Sequence, residues 1–150
     1  MASIIWYYFH MRVEQLMIAR HLMRLGAYLE REGGRELSQI GLTHQQFLVL
    51  TRISEQGSVS QKDLCDKLLY EKSNVSKIIK KLLLLGLIDI STDPEDARRQ
   101  VIRITDQGSL AVREGKKIVS AWVEQWLNRL TDDENTEILS RLIKLNTLVR

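Results

Sequence analysis

Apolar residues recur every three or four positions along most of the chain, which is the spacing of amphipathic helices. This pattern predicts a first helix over about 11–31. A Thr-x-x-Gln capping box, formed by Thr43 and Gln46, predicts the start of a second helix, which ends before Gly57. A similar cap at Ser60 predicts a short third helix.

The fourth helical segment is predicted over about 73–85 and ends at Gly86. Its apolar positions form one stripe: Val75, Ile78, Ile79, Leu82, Leu83 and Leu85. The period then changes from 3.6 to 2. Two β-strands are therefore predicted, over 87–91 and 101–105, around a polar tip that contains Pro94.

Two further helices complete the chain. Helical spacing after Gly108 predicts a long helix over about 109–130, and Thr131 predicts the N-cap of a last helix over 132–148. The pair Gly33-Gly34 and the single Gly108 fall between periodic segments and are expected to separate them. Together these elements predict a mainly α fold with a small β-hairpin wing.

Composition limits the class of protein. The 150 residues are 44% hydrophobic and 27% charged, a balance that excludes both a disordered chain and a membrane bundle. No apolar run approaches the roughly 18 residues that span a bilayer, and the run at 4–9 lacks the preceding Lys or Arg of a secretory signal. A single cysteine, Cys65, favours a reducing compartment. We therefore expect a cytoplasmic protein without membrane partners.

Positive charge is concentrated in one window. Residues 72–81 contain four lysines and no Asp or Glu. A short helix, a tight turn and the helix over 73–85 follow one another in the order of a helix-turn-helix, whose second helix can enter the major groove of DNA. We expect that helix to contact DNA through Ser73, Asn74, Ser76, Lys77, Lys80 and Lys81. Arg98 and Arg99 lie near the hairpin tip, where arginine suits the narrow minor groove.

Two motifs near the hairpin carry a resemblance. Asp96-Ala97-Arg98 and the later Ile104-Thr105-Asp106-Gln107-Gly108 resemble the wing signature of the MarR family of bacterial winged-helix transcription regulators, with Ile in place of Leu. The resemblance covers about 11–148. It implies a homodimer that binds a palindromic operator and that a small ligand modulates. It also implies that Arg98 reaches the minor groove and that Asp96 helps to hold the wing.

The resemblance also implies a division of the chain into three parts. An N-terminal dimerisation helix is expected over 1–35, a winged helix-turn-helix DNA-binding domain over 42–108 and C-terminal dimerisation helices over 109–150. The two ends carry large apolar residues, among them Trp6, Trp122 and Trp126, in greater number than a small winged helix needs to cover itself. Such a surplus indicates an interface. We therefore expect a homodimeric DNA-binding transcriptional regulator, acting as a repressor.

Two alternatives stay open at this point. The winged helix can instead be a protein-interaction module, or Cys65 can make the chain a thiol-based redox-responsive regulator. The sequence has no nucleophile elbow, Walker loop or dinucleotide-binding turn, so we expect no enzyme and no cofactor. His10, His21 and His44 lack the spacing of a helical chelate, so no metal site is expected. The effector and its pocket are not assigned.

Overall fold

The structure is a computed structural model that describes residues 2–93, 96 and 100–149, with residues 2–12 described by their backbone alone. It is mainly helical with a small β-hairpin wing, as predicted. Its elements in chain order are α1 (Ala2–Leu37), a 3₁₀ turn (Ser38–Ile40), α2 (His44–Gln56), β1 (Ser58–Val59), α3 (Gln61–Leu68), α4 (Lys72–Leu84), β2 (Ile88–Thr92), β3 (Gln100–Ile104), α5 (Asp106–Leu127) and α6 (Asp132–Leu148).

The sheet has three antiparallel strands in the order β1-β3-β2. Strands β2 and β3 form the wing hairpin, in which Ile88 pairs with Ile104 and Thr92 pairs with Gln100. Strand β1 consists of only two residues and is held by its pairing with β3. The sequence did not predict β1, because two residues are too few to show a period of two.

The hydrophobic core lies within the winged helix. Its fully buried side chains come from several elements of that unit: Val49, Leu50, Ile53, Leu64, Val75, Leu82 and Ile88. Helix α5 joins this core through Val112, and α1 joins it through Leu37 at its C-terminal end. Helix α4 and the wing therefore pack on the same hydrophobic core.

Helix α1 is longer than the predicted 11–31, because it runs without a break from Ala2 to Leu37. The prediction that Gly33 and Gly34 separate two segments is wrong. Gly33 is buried, and a Cβ atom there would lie only 3.3 Å from His44 Cδ2 and 3.6 Å from Trp122 Cζ3. Close packing of α1 against its neighbours explains a glycine inside the helix.

Helix α5 begins before Gly108, which corrects the predicted boundary. Thr105 is the N-cap, and its hydroxyl accepts a hydrogen bond from the backbone N–H of Gly108 at 3.0 Å. Gly108 lies inside the first turn of α5, where an added Cβ atom would overlap the carbonyl of Leu87. The glycine thus allows α5 to start directly against the wing.

The two ends of the chain bury little. Every described side chain of α1 from Val13 to Tyr28 is exposed, and α6 has no buried residue. Apolar side chains are nevertheless frequent there, including Leu16, Met23, Leu139, Ile143 and Leu148. These faces are uncovered in the single chain.

Candidate nucleic-acid interface

Helix α3 begins with a complete capping box. The backbone N–H of Asp63 donates to Ser60 Oγ at 3.2 Å, and the backbone N–H of Ser60 donates to Asp63 Oδ2 at 2.9 Å. These bonds satisfy N–H groups that the first turn of a helix leaves without partners. The cap predicted at Ser60 is confirmed, and it sets the start of the first helix of the helix-turn-helix.

Gln61, the first residue of α3, ties this helix to α4. Its Nε2 donates to the carbonyl oxygen of Lys72 at 3.3 Å and to Ser76 Oγ at 2.6 Å. The contact joins the first turns of both helices. This role of Gln61 was not predicted, because its partners lie 11 and 15 residues away and no periodicity links them.

The turn between α3 and α4 depends on an unusual backbone conformation. Leu69 caps the C-terminus of α3 with φ 54° and ψ 36°, in the left-handed region that glycine and asparagine usually occupy. Its side chain is 79% exposed. Leu69 therefore reverses the chain direction without contributing to the core.

Helix α4 has two distinct faces. Its buried face consists of the predicted stripe members Val75, Ile78, Ile79 and Leu82. On the other side, four of the six side chains predicted to contact DNA are exposed: Ser73, Lys77, Lys80 and Lys81. The first turn of α4 contains no acidic residue. The exposed face thus combines lysines with the positive end of a helix dipole.

Asn74 and Ser76 differ from the other predicted contact residues, because both are half-buried and hydrogen-bonded within the chain. Asn74 Nδ2 donates to Gln45 Oε1 of α2 at 3.1 Å, and Ser76 Oγ accepts from Gln61. Lys72 was not among the predicted contact residues, although it lies in the lysine window. Its side chain is exposed at the start of α4.

The wing lies beside α4 and shares its support. Arg103 of β3 is exposed, and its Nη1 donates to Ser91 Oγ of β2 at 2.9 Å, across the hairpin. Asp96 is exposed, and its backbone N–H donates to the carbonyl oxygen of Asp93 at 3.3 Å. The predicted contact residues Arg98 and Arg99 lie outside the described residues.

A cleft of about 1080 Å³ separates α3 and the start of α4 from the wing. Half-buried Cys65 lines it, together with Gln61, Lys72, Ile79 and Ile102. The cleft is next to α4 and is lined by both polar and apolar side chains.

An aromatic cluster joins α1 to α5. The rings of Tyr28, Trp122 and Trp126 lie with centroids 5.9 to 6.4 Å apart. Trp126 Nε1 is buried and has no hydrogen-bond acceptor among the described residues. Buried indole N–H groups usually have such a partner.

His44 lies in the first turn of α2, directly after the N-cap Thr43. Burial lowers the pKa of its imidazole, although the carboxylate of Glu30 acts in the opposite direction. In the part of the chain that the structure describes, no group of three or more His, Cys, Asp or Glu side chains is arranged to hold a metal ion. None of the described helices combines the length and the hydropathy that a membrane span requires.

Comparison with known proteins identifies this architecture. The HTH-type transcriptional regulator YdgJ of Bacillus subtilis is 25% identical over 105 residues, an alignment that covers 70% of this chain and 64% of YdgJ, less than two thirds of that relative. The HTH-type transcriptional repressor Rv2887 of Mycobacterium tuberculosis is 25% identical over 126 residues, which cover 84% of this chain and 91% of Rv2887.

A solved structure and a family model also show similarity to this chain. A mutant of MarR from Escherichia coli, complexed with operator DNA, shares the fold with a TM-score of 0.78 at 20% identity, over 88% of this chain and 95% of that one. Residues 40–99 match the family model of the MarR family. The chain is similar to the MarR family over that segment, which is 60 of its 150 residues.

The family match falls on the part of the chain that carries the candidate interface. Residues 40–99 include α2, α3, α4, β2 and the hairpin tip. The segment that is similar to the MarR family therefore contains the exposed face of α4. The helices at the two ends, α1, α5 and α6, lie outside the matched segment.

Proposed function

We propose that this protein is a sequence-specific DNA-binding transcriptional regulator of the MarR family. The observation that carries the proposal is the exposed face of α4, where Lys77, Lys80 and Lys81 lie opposite the buried stripe of a helix-turn-helix. The names of the relatives YdgJ and Rv2887, both transcriptional regulators, support it. The proposed activity is binding to DNA rather than catalysis.

Helix α4 is proposed as the recognition helix. Its N-terminal turn, with Ser73 and Asn74, would approach the base edges in the major groove, and its lysines would neutralise phosphates. The buried stripe fixes the rotation of α4, so the polar face keeps one orientation towards the groove. Phosphate contacts supply affinity, and the few base contacts supply sequence preference.

The wing is proposed to add a minor-groove contact through Arg98, with Arg99 beside it and Asp96 helping to hold the tip. A guanidinium group is weakly hydrated and enters a narrow, electronegative groove more readily than an ammonium group. We expect Arg98→Ala to weaken operator binding and Arg98→Lys to restore it in part. Unchanged affinity of Arg98→Ala at two salt concentrations would contradict this role of the wing.

A homodimer on a near-palindromic operator is proposed from the uncovered apolar faces of α1 and α6. A two-fold symmetric dimer presents two copies of α4, so its half-site centres should lie about 10–10.5 base pairs apart. Repression is proposed by analogy with the named repressor Rv2887.

Modulation by a small ligand is proposed at the aromatic cluster of Tyr28, Trp122 and Trp126. The buried N–H of Trp126 lacks an acceptor among the described residues, and an acceptor group on an apolar ligand would supply one. A ligand there would touch both α1 and α5.

The test is selection of bound sequences from a random pool of duplex DNA by the full chain. We expect a near-palindrome to be enriched and its affinity to fall steeply with salt. Lys77→Ala should lower operator affinity by ~1–3 kcal/mol if it contacts a base. Lys117→Ala, which removes an exposed lysine from α5, is the matched control and should bind like the parent. No enrichment of any sequence would favour the protein-interaction module instead.

A further inference from the structure

Three polar side chains form a hydrogen-bonded chain from α1 to α4. Gln45 Nε2 donates to Glu30 Oε1 at 2.8 Å, and Gln45 Oε1 accepts from Asn74 Nδ2 at 3.1 Å. Glu30 lies near the C-terminal end of α1, Gln45 in the first turn of α2 and Asn74 in the first turn of α4. These hydrogen bonds thus connect a helix proposed for dimerisation with the helix proposed for recognition.

The direction of these bonds follows from chemistry. An ionised carboxylate only accepts hydrogen bonds, so Glu30 requires the NH₂ group of Gln45 to face it. The carbonyl oxygen of Gln45 must then face Asn74, and the NH₂ group of Asn74 must face Gln45. The carbonyl oxygen of Asn74 and the second N–H of its NH₂ group then face away from Gln45 and remain free to bind a base.

We propose that Glu30 and Gln45 are positioning residues that set which atoms the Asn74 amide presents to a base. This inference rests on the proposed function. An asparagine that offers one acceptor and one donor matches adenine, which presents a donor at N6 and an acceptor at N7. Glu30, on another helix and 44 positions earlier, therefore determines the base preference of Asn74.

Reversing the direction of these two hydrogen bonds provides a direct test. In Glu30→Lys the ammonium group donates to Gln45 Oε1, Gln45 Nε2 then donates to Asn74 Oδ1, and only the NH₂ group of Asn74 remains free. Such an amide only donates, and it suits the acceptors O6 and N7 of guanine. The base preferred at the Asn74 contact should therefore change from adenine to guanine.

An exchange of the two upstream residues provides the rescue. In the double variant Glu30→Gln/Gln45→Glu, the new carboxylate at position 45 accepts from both neighbours, so Asn74 keeps its original direction. The net charge of the chain is unchanged. Glu36→Lys is the matched charge control, because Glu36 lies on α1 but accepts from Gln39 and not from α2.

The experiment is random-pool selection at pH 8 with the full-length parent and these three variants, each checked for its melting temperature. We expect the parent, the double variant and Glu36→Lys to prefer adenine at one symmetric pair of positions, and Glu30→Lys to lose that preference by roughly 5- to 150-fold. Glu30→Lys with the preference of the parent at every position, or a double variant that loses it, would overturn the inference while the proposed function stands. A parent that selects no sequence would overturn both.

Discussion

Leu69 carries a local backbone strain. Among the described residues it is the one residue other than glycine with a positive φ, and a left-handed conformation costs an L-residue with a Cβ atom about 1–2 kcal/mol. Glycine removes that cost, although it loses more conformational freedom on folding, by about 0.5–1 kcal/mol. The exposed side chain of Leu69 offsets little of this strain.

Leu69→Gly should therefore raise the free energy of unfolding by about 0.5–1 kcal/mol, measured by urea denaturation. Leu69→Ala removes the same side-chain contacts but keeps a Cβ atom, so it should give no such increase. A loss of stability in Leu69→Gly would mean that the leucine side chain supports the turn.

His44 makes stability depend on pH. Burial holds the pKa of its imidazole below the ordinary value, whereas the unfolded chain keeps that value at about 6.5. The unfolded state therefore binds a proton more readily, and the contribution of His44 to stability is lost as the pH falls through 6.5 and towards the folded pKa.

Between pH 8 and pH 5 the free energy of unfolding should decrease more steeply for the parent than for His44→Gln, which cannot gain a proton in this range. Chemical denaturation at a series of pH values measures both slopes. Equal slopes for the two proteins would contradict the role assigned to burial of His44.

At the scale of the elements, the close contact between α2 and α5 requires a glycine in α5. Gly115 lies inside α5, and a Cβ atom there would overlap the ring of Phe47. Alanine is normally the better helix former by about 1 kcal/mol. The packing of Phe47 reverses that preference at this position.

Gly115→Ala should lower the free energy of unfolding by about 1–3 kcal/mol, the usual cost of overpacking a core. Gly34→Ala is the matched variant inside α1, where the added Cβ atom meets His44 at an ordinary 3.9 Å. It should be neutral or stabilise by up to about 1 kcal/mol. Thermal denaturation of both variants checks the contrast, and equal effects would refute it.

The helices and the wing were predictable wherever the signal is local. The caps at Thr43, Ser60 and Thr131 all form as their residue types predict, because a capping box needs only residues three positions apart. Helix α4 agrees with its predicted range to one residue at each end, since its apolar stripe is continuous.

The errors arose where tertiary contacts outweigh local preference. Glycines are poor helix formers, yet Gly33 and Gly108 lie inside helices because neighbouring groups need the space. For the same reason, part of the candidate site could not be predicted from the sequence. The partners of Asn74 and Ser76 are glutamines 29 and 15 residues away, and only the folded chain brings them together.

At the scale of the whole molecule, the apolar face of α6 permits a test of the proposed homodimer. Leu142 lies on a stripe with Ile138 and Leu145, and an aspartate there would place a charge in the interface. Sedimentation of Leu142→Asp at micromolar concentration should show more of the 17.4 kDa monomer than the parent does. Thr136→Asp, on the opposite side of α6, should sediment like the parent.

The proposed dimer also makes the order of α6 depend on protein concentration. Helix α6 has 17 residues and buries none of them within its chain, whereas helices in proteins gain most of their stability by packing an apolar face. With a second copy as the proposed partner, its order comes from association and obeys mass action. In such a dimer, dilution would release α6, and loose terminal segments are preferred sites of proteolysis. The proposed dimer therefore implies that resistance of α6 to proteolysis would rise with protein concentration.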